Sequence, residues 1–213
     1  MSHVVLLGDS IFDNASYVAG GPAVIDHLKR LLPGGWKATL AAVDGAMVEH
    51  VAAQLARRVP SDATHLVLSI GGNDALSASG LVRFGEAASI ADALAQMRQL
   101  QTDFQRAYRA MLDELLALQK PLILCTVYDS VPGLEPAEYA GLCLFNDVIL
   151  REAFRVGADV IDLRAVCQEP DDYAAASPIE PSVQGGWKIA DAVARVVSAP
   201  REGAAETGSR VFV

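Results

Sequence analysis

Near the amino terminus, His3-Val4-Val5-Leu6-Leu7-Gly8-Asp9-Ser10 is a short aliphatic run that stops on a glycine and two small polar residues. An unbroken apolar run of this length, closed by a turn signal, predicts a strand buried on both faces, as in a parallel sheet. The same pattern recurs at 38–43, 65–70, 122–127 and 159–163. Helical periodicity fills the intervals at 22–32, 47–58, 90–118, 136–156 and 186–197. Regular β/α alternation predicts a three-layer α/β/α sandwich around a five-stranded parallel sheet in flavodoxin-like order. In the longest helix, Leu94, Met97, Leu100, Phe104, Tyr108, Met111, Leu112, Leu115 and Leu118 recur at steps of three and four, a stripe expected to face the sheet.

Composition narrows the function classes. The 213 residues are 52% hydrophobic and 20% charged, enough for one domain to bury its own core without staples. A net charge of −9, with no basic run longer than Arg57-Arg58, argues against nucleic acid and anionic membranes as partners. Cys125, Cys143 and Cys167 lack metal or redox spacing and read as buried small hydrophobes in a reducing compartment. The N-terminal apolar run is too short for a signal peptide or membrane span, so a cytoplasmic location is expected. The Ser-, Gly- and Ala-rich stretch 75–89 reads as a loop, either a rim over a site or a plain connector. Residues 1–198 read as the domain. Residues 199–213 read as a flexible tail, whose last residues could dock on an edge strand.

Ser10, Gly45 and Asn73 each follow a predicted strand. In open α/β sheets, ligands bind outside the carboxyl ends of the strands, so topology brings these three distant residues toward one crevice. The sequence carries no G-x-S-x-G, G-x-G-x-x-G, Walker A or H-E-x-x-H pattern.

Gly8-Asp9-Ser10, the glycine at 45, Gly71-Gly72-Asn73-Asp74 and the late Ile179-Glu180-Pro181-Ser182 together resemble the SGNH or GDSL hydrolase superfamily. The resemblance runs from the first strand to the last helix. It implies a GDSL-type esterase or lipase acting through an acyl enzyme on Ser10, with a small-molecule ester as substrate and neither cofactor nor metal. It also implies an oxyanion hole formed by the Ser10 N–H, the Gly45 N–H and the Asn73 carboxamide. Asp9 and Asp74 flank these residues and are expected to bond the backbone of their own loops.

Family members usually carry an Asp-x-x-His segment late in the chain; the matching positions here are Ser177 and Glu180. One reading makes Glu180 the general base, with Ser177 as a hydrogen-bond donor to it and Pro178 and Pro181 stiffening the segment. An ordinary Glu is about two units less basic than His, a deficit that burial can reduce by raising its pKa. The competing reading is a catalytically impaired protein that binds acyl or acetylated ligands. Two weaker alternatives are His50 as an outside base and a cation site on Asp9, Asp74 and Glu180. Trp187, at the entry to the last helix, either packs in the core or lines the crevice.

Overall fold

The computed structural model describes residues 2–200 and 208–213. The chain order is β1 (His3–Gly8), α1 (Val24–Leu31), β2 (Lys37–Leu40), α2 (Val51–Arg58), β3 (His65–Ser69), α3 (Gly72–Phe84) and α4 (Ile90–Leu116). It continues through β4 (Leu122–Cys125), α5 (Pro136–Val156), β5 (Asp159–Ile161), α6 (Leu163–Val166), β6 (Tyr173–Ala174), β7 (Ser177–Pro181), α7 (Val183–Ser198) and β8 (Val211–Phe212). The main sheet has the order β2-β1-β3-β4-β5-β8, with every pairing parallel.

Alternation along β1 divides the core. Val4 and Leu6 pack toward α1 and α7, while Val5 and Leu7 pack toward α2, α4 and α5. Both faces are covered, which is why the strands read as continuous apolar runs. The chain leaves β1 outward to β2 and crosses back to β3, so the strand order reverses at the carboxyl ends of β1 and β3. That switch point is where the motif-bearing loops meet.

Several expectations are corrected. The sheet has six strands rather than five, because Val211 and Phe212 pair with Val160 and Ile161. Arg210 locks this addition through an ion pair to Asp159 at 2.7 Å. The start of the expected tail, residues 199–200, is described, but residues 201–207 lie outside the described residues. The stretch expected to be a loop at 75–89 is mostly the helix α3, which contributes no fully buried side chain. The apolar stripe of α4 is buried only from Gln101 to Leu115; before it, Leu94 is exposed. Cys143 is exposed, unlike Cys125 and Cys167. Among the described residues, no helix is long and apolar enough to cross a membrane.

Candidate active site

β1 ends on Gly8 with φ at 122°, where it approaches β3 so closely that a Cβ would overlap the Ser69 carbonyl. Only glycine fits there. Gln54 of α2 clamps the same peptide from the side, accepting the Gly8 N–H at 2.9 Å and donating to the Gly8 carbonyl at 2.7 Å. The chain then turns tightly. The Ile11 N–H bonds the Asp9 side chain at 3.1 Å, and the N–H groups of Phe12 and Asp13 bond the Asp9 carbonyl. These bonds close the turn without the Ser10 N–H, and the Ser10 side chain sits in a cleft that Asp9, Asn73 and Glu180 also line.

Glu180 reaches this cleft from β7, held by its neighbours' carbonyls. Tyr128 donates its hydroxyl to the Ile179 carbonyl at 2.6 Å. Asn14 donates to the Pro181 carbonyl at 3.1 Å and accepts the Val24 N–H at 2.9 Å. The residue between these anchors is only 5% exposed. Burial raises the Glu180 carboxyl to about 7; the Ser10 hydroxyl works against this rise, and the charge of Asp44 adds to it. The serine and the carboxylate therefore face each other. Glu180 Oε2 is buried without a hydrogen-bond partner.

Asp9 lies against the same pair. Burial lifts it to about 8, the Ile11 N–H opposes the rise, and the charges of Glu180 and Asp74 add to it. Burial thus holds both carboxyls above the usual carboxylate range.

Asn73 stands in the first turn of α3, and its side chain donates to the Ala46 carbonyl at 2.9 Å. This bond uses one of its two amide hydrogens and ties the loop carrying Gly45 to the loop carrying Asn73.

The profile of the GDSL-like lipase/acylhydrolase family matches residues 6–187. The chain belongs to this family. Among curated proteins no sequence matches it. Solved structures share its fold. The lipase Lip_vut3 from a goat rumen metagenome aligns with TM-score 0.74 and 17% identity, covering 94% of this chain and 99% of that one. The acetylxylan esterase Axe2 from Geobacillus stearothermophilus aligns with TM-score 0.70 and 18% identity over 95% and 97%. An extracellular lipase from Streptomyces rimosus aligns with TM-score 0.63 and 19% identity over 88% and 96%. A serine-to-alanine form of Axe2 is described as a catalytic mutant of that enzyme.

Within this GDSL-family fold, Asp9, Ser10, Asn73 and Glu180 meet in one cleft. Gly45 does not line it. With φ at 76°, Gly45 occupies a neighbouring shallow pocket together with His50, Gln54, Arg57 and Arg58. His50 is turned away as well, its Nδ1 accepting the Met47 N–H at 2.9 Å. Asp74 bonds the Val48 N–H of the facing segment at 3.3 Å in addition to its own backbone, and burial raises its carboxyl. Ser177 is not among the residues that line the cleft. Trp187 neither lines the cleft nor packs in the core, being 48% exposed. Among the described residues, no three His, Cys, Asp or Glu side chains group closely enough for a metal ion, so the alternative cation site is not formed.

Sequence reasoning missed Asn14, Asp44, Gln54 and Tyr128. The first three are isolated polar residues in no recognisable spacing, and Tyr128 follows β4 where an aromatic reads as core. Asn14, Gln54 and Tyr128 act through long-range bonds to backbone groups, and Asp44 through its charge on Glu180.

Proposed function

We propose that this chain hydrolyses carboxylic esters through an acyl enzyme on Ser10, with Glu180 as general base. The observation that carries this reading is a single carboxylate, buried opposite the Ser10 hydroxyl and raised to about 7. At that value it is as basic as an ordinary imidazole, near the pH where a general base works best. The family membership and the serine chemistry of the Axe2 mutant support the same assignment.

In this mechanism Ser10 Oγ attacks the ester carbonyl carbon as its proton passes to Glu180. The carbonyl π electrons move onto oxygen, and the Ser10 N–H with the Asn73 carboxamide receives that charge. Collapse of the adduct expels the alkoxide, which takes the proton back from Glu180. A water then gives its proton to Glu180 and attacks the acyl carbon, releasing the acid and restoring Ser10. A carboxylate has no ring tautomer to fix, so the mechanism needs no Asp at 177. Asp9, still largely protonated near neutrality, adds little competing charge.

Glu180 works in its ionised form, so kcat/KM for 4-nitrophenyl acetate is expected to fall about tenfold per unit as pH drops below about 7. A fluorophosphonate is expected to label Ser10, identified by peptide mass, with the same pH midpoint. Labelling that stays at full rate down to pH 5 would exclude Glu180 as the base, and absence of label on Ser10 would exclude the nucleophile.

Replacing Asn73 with Ala removes one oxyanion donor. We expect kcat to fall roughly 10²-fold while KM stays within a few fold. A rise in KM at unchanged kcat would move Asn73 from transition-state stabilisation to ground-state binding.

A further inference from the structure

We propose that the cleft beside Ser10 is an acyl pocket for neutral esters of medium-length aliphatic acids, and that Gly141 sets the chain length it admits. This rests on the ester-hydrolase reading above.

The first observation is α3. It carries apolar residues yet places none fully in the core, and its inward side chains, among them Ala75, Leu76 and Val82, form a wall of the cleft. Met97 of α4 and Phe145 of α5 complete an apolar channel that opens to solvent at its mouth.

The second observation is where the polar groups lie. One set surrounds Ser10. Farther along the wall is Glu138, engaged by Arg83 at 2.6 Å, which ties α3 to α5. Arg83 stands ten residues beyond Asn73, roughly 15 Å along the helix axis. Between the two polar ends the lining is mostly aliphatic and aromatic. A sugar hydroxyl would find few partners there, and an acetyl group would leave most of the wall unfilled. The carboxylates around Ser10 disfavour an anionic substrate, and they favour departure of the acid once it forms and ionises.

Gly141 faces Met97 and Val82 in the lining. It is buried in the channel wall, and a Cβ there would meet Met97 Cε and Val82 Cγ2, each at 3.6 Å. That is ordinary contact, so a methyl group fits, whereas a longer side chain must project into the space the acyl chain would fill.

The test uses full-length protein in two arms. In the first, nitrophenyl esters from acetate to decanoate are compared. Each added methylene is expected to raise kcat/KM roughly fourfold until the channel is full, and Gly141→Leu to lower the octanoate-to-acetate ratio at least tenfold, with Gly141→Ala between. In the second, calorimetry follows N-methyl octanamide, a neutral mimic that is not turned over, with N-methyl acetamide as control. Binding of the octanamide alone, with a negative heat-capacity change and weakened at least tenfold by Gly141→Leu, supports the pocket. Ester turnover with no dependence on chain length overturns the pocket and leaves the hydrolase reading standing. Octanamide binding without turnover of any ester overturns the hydrolase reading and keeps the pocket. Thermal melts establish that both Gly141 variants are folded; if Gly141→Leu is not, the Ala variant decides, and unchanged ratio and affinity there overturn the role of Gly141.

Discussion

Glu180→Gln is expected to lower kcat/KM for 4-nitrophenyl acetate by roughly 10²–10⁴-fold at pH 8, the range typical for loss of a positioned general base. Gln keeps the shape of the side chain and removes its capacity to hold the proton from Ser10. The same substitution is expected to stabilise the fold, and the sign follows from linkage. The carboxyl rises from 4.5 to about 7 on folding, so between those values the native state holds the proton more tightly than the unfolded chain. Stability therefore falls as pH rises through this window, and the cost is complete above 7. Removing the charge should raise the unfolding free energy at pH 8 by about 2 kcal/mol, less than the ~3 kcal/mol of the full shift because solvent reaches the cleft. At pH 4 no gain is expected. Urea unfolding at the two pH values, beside the ester assay, checks both halves. A variant as active as the parent would leave Glu180 with no role as base and would favour a ligand-binding function.

Gly8→Ala is expected to cost at least ~3 kcal/mol and to abolish activity in whatever protein folds. Two effects add: the backbone at φ 122° is strained for any residue with a Cβ, and that Cβ would overlap the Ser69 carbonyl within the paired β1 and β3 strands. The carbonyl cannot move away without breaking the register Gly8↔Ser69. Gly20→Ala provides the comparison. It too has positive φ, 82°, but nothing lies within 4 Å of its Cβ position, so only the conformational cost of about 1 kcal/mol applies. Equal urea midpoints for the two variants would mean that the close approach of β1 to β3 contributes nothing.

Most of the fold was legible because its signals are local. The strands at 3–8, 65–69 and 122–125 are buried on both faces, and such burial leaves an unbroken apolar run. α5 was readable at both ends, since Pro136 suits a first helical turn and Gly157 closes the helix in the left-handed region. α3 was not, because its apolar side lines a cleft and its sequence mixes Gly, Ser and Ala without a core-facing stripe. β7 escaped for another reason, and β8 was legible only as a possible docking of the last residues on an edge strand. Pro178, Pro181 and the final valine-phenylalanine pair become strands only because partners at 173–174 and 160–161 wait for them. Local propensity carries no record of a partner far along the chain.

The same division runs through the site. Loop positions after predicted strands selected Ser10 and Asn73, since a β/α alternation has few ways to close, and the family resemblance selected Glu180. Tertiary structure decided the rest: that Gly45 opens to a neighbouring pocket, that Ser177 stays out of the cleft lining, and that Asn14 and Tyr128 fix the segment carrying Glu180. It also decided the basicity of Glu180, because a carboxylate's proton affinity is set by the water it loses and the charges it meets on folding. Neither quantity exists until distant parts of the chain have packed around it.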